Sequence, residues 1–134
     1  MTNFSRFLLL ALLGLPLNQT LAADDPGNNW NGVWLAEGTF FSVGVTVRDN
    51  QIVVSEVESL GFEWTAKAGI VGGNVANIEV EYAGATAMIQ VQLLDAGTAT
   101  AKAVICRPEY LVVCALAADR QARFLRVGPL PETD

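Results

Sequence analysis

The chain has 134 residues, with 14 acidic against 8 basic side chains and no histidine, giving a formal charge of −6. That length bounds one domain with a single core, and the acidic balance argues against nucleic acid and anionic membranes as partners. Without histidine the commonest acid–base catalyst and metal ligand is missing, which leaves Glu, Asp and Lys as bases.

The first segment, MTNFSRFLLLALLGLPLNQTLA, carries Arg6, an apolar run from Phe7 to Leu17 and a small-residue exit. This is the pattern of a secretory signal peptide over residues 1–22, with cleavage expected after Ala22, or after Ala23 as the alternative. The apolar run is too short to span a bilayer comfortably, so no transmembrane segment is expected after cleavage. No cysteine follows the site, which argues against a lipid anchor. The expected location is exported, either periplasmic or extracellular, and the exported chain keeps 14 acidic against 7 basic side chains because only Arg6 leaves. Residues 23–29 (ADDPGNN) read as a flexible lead and 128–134 (GPLPETD) as a flexible tail, since Pro, Gly and acidic residues bury little.

Between them, over residues 30–127, no helical period is sustained. Strand signals alternate with turn residues roughly every ten positions, which predicts an all-β domain. A one-residue slip turns every side chain of a strand over, so shared apolar faces test the registers. Two-residue turns at Glu37-Gly38 and Asp49-Asn50 set Trp34 against Phe41, Gly32 against Val43, Val47 against Ile52 and Val45 against Val54. The Ala83-Gly84 turn sets Val80 against Ala87 and Ile78 against Ile89. A loop at Asp95-Ala96-Gly97 sets Leu93, Val91 and Ile89 against Ala99, Ala101 and Ala103. The opposite face carries Thr46, Arg48, Glu63, Thr65, Lys67 and similar residues and meets water, which argues against an outer-membrane barrel. Gly69 to Asn74 is a looser joint, a place for the chain to cross between sheets. The expected fold is an antiparallel meander of about eight to nine strands, closed or nearly closed into a β-barrel, with a two-sheet sandwich as the alternative.

Both cysteines fall in CRPEYLVVC, and an even pair in an exported chain reads as a disulfide, with free thiols or a redox pair as alternatives. Placed opposite each other on adjacent strands, Cys106 and Cys114 would have Cα atoms about 5.5 Å apart, within disulfide reach. Arg107 to Val113 would then form the end of a clipped hairpin centred on Tyr110. Two sulfurs without histidine or clustered carboxylates make no zinc site, and no cofactor is expected.

Ser42, Ser55 and Ser59 lie in no nucleophile motif, so a catalytic role is not expected. One local conflict stands out: the register pairing Val45 with Val54 turns Glu56 and Glu58 inward, beside Phe62 and Trp64. Either a β-bulge near Ser55-Glu56 returns both to solvent and turns Val57 inward, or they stand at the mouth of a pocket lined by Trp34, Phe41, Phe62 and Trp64. The inward face is also lopsided, with Trp30, Trp34, Phe41 and Trp64 from the first half and Ala87, Ala99, Ala101, Ala103, Ala115 and Ala117 from the second. Large against small either fills a narrow barrel or leaves an apolar cavity.

The opening strand, Asn29-Trp30-Asn31-Gly32-Val33-Trp34, resembles the Gly-x-Trp first strand of the calycins, the lipocalin and avidin-like β-barrels. The resemblance implies that Trp34 closes one end of the barrel and that a basic residue of the last strand, Arg123 or Arg126, packs over it. It covers a handful of residues; the short chain, with no helix expected after Val127, suits avidin-like length better than the lipocalin pattern. The expected function is non-catalytic binding of a small apolar or amphipathic molecule inside the barrel. The alternative is an inhibitor or protein-interaction module working through its loops, with Pro108 to Leu111 as the contact segment.

Overall fold

A computed structural model of the chain describes residues 29–131. The expected signal peptide, residues 1–22, lies outside the described residues, as do 23–28 of the lead and 132–134 of the tail. The described chain forms β1 (Gly32–Ala36), β2 (Ser42–Arg48), β3 (Gln51–Glu58), β4 (Trp64–Ala66), β5 (Gly69–Gly72), β6 (Val75–Tyr82), β7 (Ala85–Asp95) and β8 (Thr98–Arg107), then a short helix α1 (Val112–Ala117), and finally β9 (Gln121–Gly128).

All nine strands belong to one antiparallel sheet that closes on itself, because β1 pairs with β9 at one seam and β6 with β7 at the other. The closed ring has eight strands in meander order, and β4 is an extra segment on the same flank of β6 as β5. β4 meets the upper part of β6, Trp64 opposite Tyr82, while β5 meets the lower part, Val71 opposite Ala76. The fold is therefore a barrel rather than a sandwich.

Turn chemistry sets most registers. Asp49 and Asn50 (φ 54° and 63°) and Ala83 and Gly84 (φ 52° and 82°) take the left-handed conformations that two-residue type I′ turns require. Val47 accordingly faces Ile52 and Val45 faces Val54, while Val80 faces Ala87 and Ile78 faces Ile89. Leu93, Val91 and Ile89 face Ala99, Ala101 and Ala103, as the sequence predicts.

Three expectations are corrected. The β1–β2 connection is longer than a two-residue turn: Trp34 faces Val43 and Gly32 faces Val45, a slip of two residues from the expected register. Thr39 accounts for the longer loop, its hydroxyl donating to the Ala36 carbonyl at 2.8 Å and accepting from the Phe41 amide at 3.0 Å. A slip of two keeps every side chain on its face, so the core is unchanged. Second, Gly69 to Asn74 does not cross between sheets, since Gly69–Gly72 is strand β5 and pairs into the barrel wall. Third, Cys114 is not on a strand; it lies in α1.

Gly69 has a packing reason. A Cβ there would meet the Asn77 carbonyl oxygen, and would stand 3.0 Å from both Ile52 Cγ2 and Ile78 Cγ1. Only a hydrogen lets β5 approach β6 this closely. Beyond β9, Leu130 returns to the outer wall, where a Cβ on Gly44 would come within 2.7 Å of its Cδ2. The tightly buried core lies toward the turn at Asp49-Asn50: Trp30, Trp34, Ile52, Val71, Ala76 and Leu93 have almost no exposure. Gly69→Ala is expected to destabilise the barrel by about 2 kcal/mol or more, whereas Gly72→Ala, with open space at its Cβ, changes stability by less than about 0.5 kcal/mol. Denaturant unfolding of the two variants checks this.

Candidate functional site

The two ends of the barrel differ. At the lower end Trp30 and Trp34, 2% and 3% exposed, form a floor. Burying an indole requires a partner for its N–H, and both have one: Trp34 Nε1 donates to the Trp30 carbonyl at 2.8 Å and Trp30 Nε1 to the Gly73 carbonyl at 3.3 Å. The Asn31 side chain accepts from the Val47 amide at 2.7 Å, and its carbonyl accepts from Arg126 Nε at 2.9 Å. Gly32, at φ 143°, leaves the space through which Arg126 passes, since a Cβ there would lie 2.7 Å from Arg126 Nε. Trp34 is thus buried and hydrogen-bonded at one end of the barrel. Arg126 holds the adjoining backbone, and Arg123 pairs instead with Glu37 at 3.3 Å.

Above this floor the barrel is hollow. A cavity of about 710 Å³ runs from Trp30 and Trp34 to the upper rim. One wall carries Phe41, Val43, Val54 and Trp64, and the facing wall carries Ala99, Ala101, Ala103 and Ala122. Large side chains on one side and methyl groups on the other do not meet in the middle. The inward residues of the upper half, Ile89, Val91, Ala101 and Ala103, are accordingly only half-buried.

Aromatic side chains gather at the mouth. Phe41 and Trp64 pack with ring centroids 6.1 Å apart, and Phe62 and Tyr82 meet edge to face at 5.8 Å, contacts worth about 0.5–1.5 kcal/mol each. Trp64 Nε1 donates to the Ser59 hydroxyl at 3.1 Å, which fixes the ring and the Ser59–Glu63 loop together. The wall is incomplete here. β3 joins β5 only through Gln51 and Ile52, and above that point no ladder links β3 to β4, so a slit descends from the mouth beside Val54 and Trp64.

Of the residues expected to bind a ligand, Trp34, Phe41, Phe62 and Trp64 all line this cavity. Glu56 and Glu58 do not join them. A bulge is present, but it falls at Val57: Glu56 faces Val43 and Glu58 faces Ser42, with Val57 left over. Val57 leans over Gly44 on the outside instead of turning inward. Both glutamates are exposed because β3 has no strand on the side away from β2 along this stretch, and Glu56 borders a depression of about 510 Å³ with Glu63 and Glu81. Ala115, expected to face inward from a strand, is exposed on α1.

Sequence reasoning missed Tyr82 and Arg120 in the lining, whereas Lys102, between the inward Ala101 and Ala103, faces water as the alternation predicts. Tyr82 was within reach, since it continues the inward alternation of Ile78 and Val80. Arg120 was not, because its place depends on α1. The displaced titrations lie away from the cavity: the hydrogen bond and charge of Glu79, 2.8 Å away, raise the Lys67 pKa, and the Gly97 amide lowers that of Asp95.

Helix α1 spans six residues and has no side-chain cap at Leu111, far too short to be stable alone. Cys106 holds it to β8 through a disulfide to Cys114, with Cα atoms 5.4 Å apart and Cys114 only 6% exposed. Its C-terminal Ala117 and the following Arg120 reach the cavity mouth. A disulfide in a small barrel fits an oxidising exported location. Among the described residues no helix is long and apolar enough to cross a membrane.

No protein-family model, curated protein or solved structure matches this chain. The closed antiparallel meander is compatible with a calycin-like barrel.

Thiol titration of the protein, purified without reductant, under denaturing, non-reducing conditions is expected to find no free cysteine. Replacing Cys106 and Cys114 with Ser should lower stability by about 2–3 kcal/mol, the chain-entropy value for so short a loop. Far-ultraviolet circular dichroism should retain its β signal.

Proposed function

We propose that the protein is an exported, non-catalytic binding protein that holds one small apolar or amphipathic molecule inside its barrel. The observation that carries this reading is the cavity of about 710 Å³, closed below by Trp30 and Trp34 and open above. Its volume falls within the range of about 300–1,000 Å³ typical of small-molecule sites. Its surface is almost wholly hydrocarbon and aromatic, so the ligand is driven in by apolar burial, at about 25 cal/mol per Å². The Gly32-x-Trp34 strand at the floor supports a calycin-like assignment, and the disulfide supports a periplasmic or extracellular site of action.

A specific observation favours the second reading, an inhibitor or interaction module acting through loops. Tyr110 and Phe40 are 85% and 81% exposed, and Tyr110 sits on the segment that the disulfide braces. Rigid exposed aromatics are typical contact residues.

A neutral apolar reporter dye is expected to bind the wild type at about one to one, and Ala101→Trp or Ala103→Trp to abolish uptake while the fold survives. Were the interior filled, the same substitutions would overpack it, costing about 1–3 kcal/mol. No dye uptake by the wild type, with strongly lowered melting temperatures in both variants, would overturn the carrier reading and leave the loops as the working surface.

A further inference from the structure

The cavity is wide for its height. The chain lines it from Phe41 to Val45, from Ile78 to Tyr82 and from Ala99 to Ala103. Each stretch rises through four residues, about 13 Å at the usual strand rise. A volume of about 710 Å³ over that height gives a mean cross-section on the order of 50 Å². Carbon atoms in contact stand about 3.5–4 Å apart, so a single methylene chain fills only about 20 Å² of such a section. One alkyl chain would leave most of the space empty. The two sides also differ in relief: Phe41 and Trp64 stand on one, their ring centroids 6.1 Å apart, with Trp64 fixed further by its bond to Ser59. Opposite them Ala101 faces Ala122 across the β8–β9 ladder, so that wall is low and made of methyl groups. The floor offers a ligand no donor, because both indole N–H groups already donate to backbone carbonyls. Tyr82 and Arg120 bring polar groups to the mouth, and no carboxylate lines the cavity.

We infer that the ligand is a rigid fused-ring molecule, mostly hydrocarbon, held between the aromatic side chains and the alanine wall with its polar end toward the mouth. This deepens the carrier reading proposed above and rests on it. A fused ring system is broad in two dimensions and fills the section in one piece. It has few rotatable bonds to immobilise, whereas a flexible chain loses conformational freedom on binding. Ring faces pack well on Phe41 and Trp64, and the short methyl groups opposite let them approach the sheet closely where longer side chains would hold them off.

The test displaces a neutral naphthylamine dye from the wild type with neutral alcohols: androstanol and 9-phenanthrenemethanol as fused rings, dodecanol as one chain and dioctanoylglycerol as two. Displacement constants are corrected for the dye's own affinity in each protein. At least one ring alcohol should bind about tenfold better than either chain compound. Ala101→Leu narrows the section from the methyl side. In that variant the ring alcohol should lose about tenfold, while dodecanol, which needs far less width, stays within about twofold of its wild-type affinity. Ala103→Leu, one inward position nearer the mouth, should do the same and replaces the first variant where circular dichroism finds that one unfolded. A wild type with no preference or with a preference for a chain compound, or equal losses for ring and chain in a folded variant, overturns the inference while the carrier reading stands. Failure of the wild type to take up dye overturns both.

Discussion

Closing a sheet of eight strands fixes its circumference, and the interior that results is just wide enough for side chains to fill or for one small ligand to occupy. Which of these holds is decided by the volume each strand sends inward. Here Trp30 and Trp34 fill the lower end completely, and the lower parts of β3, β5, β6 and β7 add Ile52, Val71, Ala76 and Leu93 around them. Higher up, β8 contributes only methyl groups, from Ala101 and Ala103. No neighbour compensates, so the same closure that makes a dense core below leaves open space above.

That division has an energetic consequence. Protein interiors are close-packed, and an apolar surface without partner atoms forfeits dispersion as well as burial. The barrel's stability therefore comes mainly from its lower half, together with the ladders at the two closing seams. The upper half contributes less, and it is also where the wall parts between β3 and β4. A ligand that binds the folded state adds stability by mass action in the region where the polypeptide provides least. Polar turns at Asp49-Asn50 and Asp95-Gly97 cap the dense end, whereas Phe40, Leu60, Phe62 and Tyr110 stand exposed around the hollow one.

Much of this architecture was legible in the residues because period-two alternation and type I′ turn chemistry are local signals. They gave the registers of β2 with β3, β6 with β7 and β7 with β8, and hence which side chains face inward. The β1–β2 register was missed by two residues because the Thr39 hydrogen bonds that shape the loop compete with a tighter turn at Glu37-Gly38, and sequence alone does not rank them. The aromatic half of the site followed from alternation. Its polar half did not, because Arg120 is placed by α1, and α1 contradicts local propensity. Val112-Val113-Cys114 reads as a strand, with two β-branched residues and no capping side chain.

The helix is therefore a tertiary product, and the reason lies in the strand lengths. β8 runs on to Arg107, but β9 starts at Gln121 opposite Lys102, so the last residues of β8 have no partner on that side. A hairpin continuing the ladder would have placed Cys114 on β9. Instead the segment folds back over the rim, and the link to Cys106 fixes it there with its apolar Ala117 toward the cavity. The disulfide orders the turn of helix, and the turn of helix delivers Ala117 and Arg120 to the mouth. Without the clip, α1 has too few hydrogen bonds to persist, and Arg120 would lose its fixed position before the barrel itself lost its fold.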